Sequence, residues 1–171
     1  MADLMAFLAR RRVALGGATA VAAVLLARPT WASWAAGLAV ACVGEGIRVW
    51  AAGHLEKSRE VTTSGPYRWT RHPLYVGSSV LALGVVIASR SWVLAALAAV
   101  SLGSTITAAI RSEEAYLRRA FGDSYDRYAR SEQAAAPRRF SLERALRNKE
   151  YRAVAGMSAG FLLLAVRLLL L

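Results

Sequence analysis

Five apolar blocks, separated by arginine-rich or turn-forming residues, dominate this chain and leave few ways for it to fold. They run approximately from Val13 to Ala27, Trp31 to Gly53, Leu74 to Ser89, Trp92 to Ile110, and Val154 to Leu171. A helix that crosses about 30 Å of hydrocarbon needs roughly 20 apolar residues at about 1.5 Å rise each. The blocks therefore predict an all-α integral membrane helical bundle of about five transmembrane helices. The first and third are short and fit by tilting less. Arg28-Pro29-Thr30 and Ser89-Arg90-Ser91 are the expected tight turns.

The 171 residues suffice for one domain, 1–171, and hardly for two. Apolar residues make up 56% and charged residues 19%, and the two kinds are segregated along the chain, as in a membrane protein. A net charge of +11 suits either nucleic-acid binding or arginine-rich cytoplasmic loops. The apolar blocks decide for the loops, and no nucleic-acid partner is expected. Arg10 to Arg12, the loop from His54 to His72 and the segment from Arg111 to Arg152 carry nearly all the positive charge between the blocks. The opposite side carries Arg28 and Arg90. Five spans place those three regions together, which predicts a cytoplasmic N-terminus and active site and an external C-terminus, in a bacterial inner membrane. Arg10 to Ala27 also has signal-peptide character, but Trp31 and Trp34 interrupt any small-residue cleavage site, so a retained helix is expected. Cys42 is the single cysteine and allows no internal disulfide.

Two clusters hold the residues most suited to chemistry. Gly65-Pro66-Tyr67-Arg68-Trp69-Thr70-Arg71-His72-Pro73-Leu74-Tyr75-Val76-Gly77 lies where a polar loop meets the third block. Pro73 suits the first turn of a helix, where a missing N–H costs nothing. The aromatics are explained equally well as interfacial side chains. Arg71 and His72 are not, since they abut an apolar helix without an obvious partner. The second cluster is Arg111-Ser112-Glu113-Glu114, followed by Phe121-Gly122-Asp123-Ser124-Tyr125 and Tyr128. Adjacent helical residues lie about 100° apart, so Glu113 and Glu114 are not expected to face one partner. Glu114 can pair with Arg118 at the surface, which leaves Glu113 for another role; Asp123 with Arg127 and Asp126 with Arg130 are further i,i+4 pairs.

Taken in order and at this spacing, the clusters resemble the isoprenylcysteine carboxyl methyltransferase family, which includes bacterial membrane methyltransferases. The resemblance rests on Gly65-Pro66-Tyr67, Arg71-His72-Pro73-Leu74-Tyr75-Val76-Gly77, Glu113-Glu114 and Phe121-Gly122-Asp123-Ser124-Tyr125, with Gly46 to Ala51 and Val61 to Ser64 in support. It covers about residues 44–128, leaving an extra C-terminal helix at about 151–171. It implies a cytosol-facing pocket for S-adenosyl-L-methionine, held by Arg59, Glu60, Val61, Thr62, Tyr67, His72, Pro73, Leu74, Tyr75 and Glu113. It also implies a lipophilic acceptor that arrives from the bilayer. Aromatic faces of Tyr67 and Tyr75 suit a sulfonium or an adenine, Glu113 an ammonium or ribose, and His72 a carboxylate. A carboxylate acceptor needs no general base, whereas a phenol needs one, for which His72 and Glu113 are candidates. Family enzymes place a substrate-carboxylate arginine where this chain has Ala109. Arg111 is the nearest arginine and, with Glu113, a candidate catalytic residue.

Elsewhere, Glu45 and Arg48 are spaced to pair inside the second helix, and either is a candidate for the pocket wall. Asn148 and Glu150 precede the last helix, where they either reach the pocket mouth or serve as helix-start residues. Arg167 is expected to snorkel outward. Gly156 and Gly160 suit close helix packing, internally or in a homo-oligomer. The basic segment from Arg111 to Tyr151, between the fourth and fifth spans, is expected to be a cytoplasmic helical segment lying along membrane-lipid headgroups. The competing readings are a phospholipid N-methyltransferase, a sterol-reductase-like enzyme, which needs a nicotinamide-phosphate site, and a non-enzymatic scaffold or lipid-binding protein.

Overall fold

The computed structural model of the chain describes residues 26–132 and 134–170. Among them are six α-helices: α1 (Trp31–Ala52), α2 (Pro73–Ser89), α3 (Trp92–Phe121), α4 (Asp123–Ala129), α5 (Leu142–Arg147) and α6 (Tyr151–Leu170), with a 3₁₀ turn at Gly65–Arg68. The described residues contain no strand. α1, α3 and α6 are long and apolar enough to cross a membrane, and α2 is a shorter apolar helix. The first expected span, Val13 to Ala27, lies outside the described residues except for its last two. The fold is thus an all-helical membrane architecture, and the count of five spans stays an expectation.

Local chemistry explains the helix limits. Thr30 caps α1 by accepting from the Ser33 N–H at 3.2 Å, and Ser33 Oγ accepts from the Thr30 N–H at 3.0 Å. Two of the helix's orphan N-terminal donors are thereby partnered. Pro73 opens α2, and Arg90 closes it in the left-handed region at φ 53°. Ser91 then caps α3 by accepting from the Leu94 N–H at 3.3 Å.

α3 continues past the expected end at Ile110 to Phe121, a length of 30 residues. At about 1.5 Å rise each this is roughly 45 Å, about half as long again as the hydrocarbon core. No proline or glycine interrupts Arg111 to Phe121, and Gly122 stops the helix with φ 48°. Glu113 and Glu114 therefore project beyond the apolar part on a rigid extension.

α1 and α2 approach closely because small residues face each other. A Cβ at Gly44 would lie 2.7 Å from the Gly77 carbonyl oxygen, and a Cβ at Gly77 would lie 2.7 Å from that of Gly44. Ala27, Ala41, Ala88, Phe161 and Leu164 form the buried core with Trp34 and Met157 packed against it. Trp34 Nε1 donates to the Phe161 carbonyl at 2.9 Å, tying α6 to α1. Arg167, expected to reach outward, donates to the Ala27 carbonyl at 2.9 Å. Of α3, Leu94 and Ala98 are buried, while Trp92, Val93, Val100 and several leucines of α6 are exposed. An apolar exterior of this kind suits hydrocarbon rather than water. Gly156 and Gly160 meet nothing within 4 Å among the described residues.

Candidate active site

A cavity of about 580 Å³ opens between the loop after α1, the start of α2, the outer half of α3, and α4. Sites for drug-sized ligands commonly measure about 300–1,000 Å³. Glu60, Val61, Thr62, Tyr67, His72, Pro73, Leu74, Tyr75 and Glu113 all line it, although they come from three separate stretches of chain. Arg59 does not; its side chain is solvent-exposed and lies 3.9 Å from Glu56.

The α2 and α3 walls meet through direct contacts. Tyr75 donates from its hydroxyl to Glu113 Oε2 at 3.1 Å. His72 Nε2 lies 3.1 Å from Glu114 Oε1, and its Nδ1 lies 3.9 Å from Glu113 Oε2. One imidazole thus touches both acids. This departs from the expectation that the two acids face different ways: the ring is wide enough to present a nitrogen to each. Glu114 Oε1 also lies 3.1 Å from Arg71 Nη1 in an ion pair. The expected Glu114–Arg118 pair is replaced, and Arg118 contacts Asp126 at 3.3 Å instead. Arg130 likewise joins Glu132 at 2.9 Å. Arg71 and His72, without obvious partners in the sequence, share an acid delivered by a different helix.

Position on α3 separates the candidate residues further. Thr105, Ala108, Ala109, Ser112, Glu113 and Tyr116 recur at three- and four-residue spacing and line the cavity as one helical face. Arg111 lies off that face, is exposed, and is absent from the wall. Ala109 does line the cavity, and the arginines among the lining residues are Arg71 and Arg119.

The 3₁₀ turn sets the tyrosine wall. Gly65 adopts φ 57°, and a Cβ there would lie 2.6 Å from His54 Cγ, so a side chain is excluded on both counts. Tyr67 follows it and is buried. Burial first, and the nearby Glu113 carboxylate second, raise the Tyr67 phenol far above its ordinary value of 10, so it remains a neutral donor. Tyr128 donates to the Tyr67 carbonyl at 2.7 Å, and burial pushes its own phenol up to about 12.

The C-terminal segment supplies a wall that motif reading missed. Arg144 donates to Glu56 Oε1 at 2.8 Å and to the Gly53 carbonyl, and Arg138 contacts Glu60 at 2.6 Å. Asn148 Nδ2 lies 2.9 Å from both the Ala52 and Leu55 carbonyls. These bonds clamp the loop after α1 against the segment between α4 and α6. Asn148 and Glu150 both line the cavity. Arg48 pairs with Glu45 at 3.4 Å, as their spacing predicts, and also with Glu150 at 2.7 Å. Neither Glu45 nor Arg48 lines the cavity itself. The signal for the clamp, a run of arginines opposite Glu56 and Glu60, is legible in the sequence only as a basic segment along lipid headgroups.

Carboxylates, buried tyrosines and one histidine around a cavity of this size fit S-adenosyl-L-methionine, whose sulfonium and ammonium call for acidic and aromatic surroundings. Among the described residues no group of three or more His, Cys, Asp or Glu side chains is placed to hold a metal ion.

The fold and site define a helical membrane protein with a cavity lined by both apolar and ionisable side chains. The family described as phospholipid methyltransferase matches residues 18–124, more than half of the chain, and the chain belongs to that family. Its isoprenylcysteine methyltransferase branch is represented by the protein-S-isoprenylcysteine O-methyltransferase of Schizosaccharomyces pombe. That relative is 36% identical over 81 residues, 47% of this chain and 34% of that protein. The nickel-cobalt-cadmium resistance protein NccN of Alcaligenes xylosoxydans xylosoxydans is 40% identical over 104 residues, 60% of this chain and 47% of that protein. The cobalt-zinc-cadmium resistance protein CzcN of Cupriavidus metallidurans is 36% identical over 104 residues, 60% of this chain and 46% of that protein. The matched region spans less than half the length of each of these relatives. No solved structure gives a significant match.

Proposed function

We propose that the chain is an S-adenosyl-L-methionine-dependent methyltransferase whose acceptor is lipophilic and arrives from the bilayer, with O-methylation of a carboxylate or phenol favoured. The observation that carries this reading is the meeting of Tyr75, His72 and Glu113 on a cavity of about 580 Å³, with Glu114 holding His72 from behind. When bound, S-adenosyl-L-methionine supplies an electrophilic methyl group on a sulfonium. Tyr67, Tyr75, His72 and Glu113, with the backbone of Glu60 to Thr62, Pro73 and Leu74, would hold it. Tyr67 and Tyr75 offer aromatic faces, and Glu113, fixed by the Tyr75 hydroxyl, offers a carboxylate to a cation.

Methyl transfer is an in-line displacement, so the chain's main task is alignment and exclusion of water. A carboxylate acceptor arrives ionised, and Arg71 and Arg119 are the guanidinium groups at the cavity able to orient it, in place of Arg111. A phenol must lose a proton, and His72, held between two carboxylates, is the base placed to take it. In this reading residues 1–171 act as one domain. The cavity opens on the cytoplasmic face of a bacterial inner membrane, and a second copy can meet the open Gly156 and Gly160 face of α6.

The test is transfer of labelled methyl from S-adenosyl-L-methionine into a total lipid extract by purified protein, followed by identification of the product. A labelled ester or ether supports the reading. A labelled phospholipid amine selects N-methylation instead, the alternative the family description favours. No labelled lipid above a His72→Ala control contradicts methyl transfer to lipid.

A further inference from the structure

Glu150 lies outside the family match, which ends at residue 124, yet it lines the cavity. It is 7% exposed and is delivered by a turn in which Lys149 takes φ 62°. A buried carboxylate at a cavity wall calls for a reason, because an ionised group is costly to remove from water unless paired. Arg48 supplies part of one: its Nη2 lies 2.7 Å from Glu150, its Nε 3.4 Å from Glu45, and its Nη1 donates to Ser78. Nη1 is thus hydrogen-bonded while Nη2 and Nε stand in ion pairs, Glu150 Oε1 is buried with no hydrogen bond of its own, and Ser78 in turn donates to the Leu74 carbonyl at 2.8 Å. Arg48 is therefore fixed, and through it Glu150 is aimed. Arg48 faces two acids, and Glu150 is the one of the two that reaches the cavity.

We propose that Glu150 is a ligand-binding residue that takes a cationic centre, an ammonium or a sulfonium, with Arg48 as its positioning residue. The assignment rests on the methyltransferase reading and adds a site residue to it. The cation belongs either to the methyl donor or to an amine-bearing acceptor, and the two sources separate experimentally. Binding is measured on the full chain in detergent with S-adenosyl-L-methionine, S-adenosyl-L-homocysteine and 5′-methylthioadenosine, the last lacking both the amino-acid arm and the sulfonium.

In E150Q, affinity for S-adenosyl-L-methionine falls about tenfold or more while that for methylthioadenosine changes less than about twofold. A loss shared with S-adenosyl-L-homocysteine assigns the ammonium, and a loss confined to S-adenosyl-L-methionine assigns the sulfonium. Unchanged nucleoside binding with a KM raised about tenfold for an amine-bearing lipid assigns the acceptor. E150D keeps the charge and retains the discrimination, which separates charge loss from misfolding. E132Q removes an exposed acid that does not line the cavity and leaves all three affinities at wild-type values. Wild-type binding and KM values in E150Q overturn the proposal, as does a loss that E132Q reproduces. Absence of nucleoside binding by folded wild-type protein defeats the methyl-donor reading and takes this assignment with it, an outcome distinct from a silent E150Q.

Discussion

Replacing Glu114 with alanine tests how the two walls of the cavity are joined. Glu114 contacts His72 Nε2 and Arg71 Nη1, each at 3.1 Å. The Arg71 side chain is 44% exposed, so its share contributes at most about 1 kcal/mol. His72 and Glu114 are 13% and 18% exposed, and a hydrogen bond to an ionised partner contributes about 1.5–3 kcal/mol. Glu114→Ala therefore destabilises by about 2–4 kcal/mol, and thermal melts of the detergent-solubilised protein show the loss. Ligand affinity falls only through the freed imidazole, so the Kd for S-adenosyl-L-methionine rises by about 10- to 150-fold. Isothermal titration measures it in Glu114→Ala, His72→Ala and the double variant. Because Glu114 acts through His72, adding Glu114→Ala to His72→Ala changes Kd by less than about threefold. Wild-type affinity in Glu114→Ala, or losses that multiply in the double variant, would refute the reasoning.

Two other perturbations probe the walls. Arg144, assisted by Arg147 and Arg138, holds the Glu56 carboxyl below its ordinary value of 4.5. A depressed folded-state value means that Glu56 stabilises fully above about pH 4.5 and ceases to do so as pH falls through that lower value. Glu56→Gln accordingly lowers Tm by roughly 2–8 °C at pH 7, with the gap closing as melts are repeated toward about pH 3. Gly77→Ala places a Cβ 2.6 Å from Arg48 Cγ and 2.7 Å from the Gly44 carbonyl oxygen, and overpacking of this kind costs about 1–3 kcal/mol. Gly156→Ala meets no atom of the described residues, so melts of the two variants should show a loss for Gly77→Ala and none for Gly156→Ala.

Hydropathy located the described spans closely because lipid demands long apolar runs: Trp31 and Trp92 start helices as expected, and Ser89 ends one. It missed the extension of α3 to Phe121, because a polar helix beyond the membrane carries no hydropathic signal. Within the site, the ordered motif brought Tyr75 and Glu113 together correctly. Partner choice for Glu114 was not legible, since Arg118 one turn away is as good a local partner as His72, and only the crossing of α2 and α3 favours the latter. Arg111 illustrates the same limit in reverse, because sequence proximity to Ala109 does not place it on the helical face that meets the cavity. Glu150 and the Arg144 clamp depend on contacts between distant stretches, which no local pattern encodes.

Equilibrium binding of labelled S-adenosyl-L-methionine to the purified full chain tests the central claim most directly. Saturable binding near one molecule per chain, displaced by S-adenosyl-L-homocysteine and weakened at least about tenfold by Glu113→Ala, is the predicted result. A folded wild-type protein that shows no saturable binding, or a Glu113→Ala variant that binds as tightly as wild type, would contradict it.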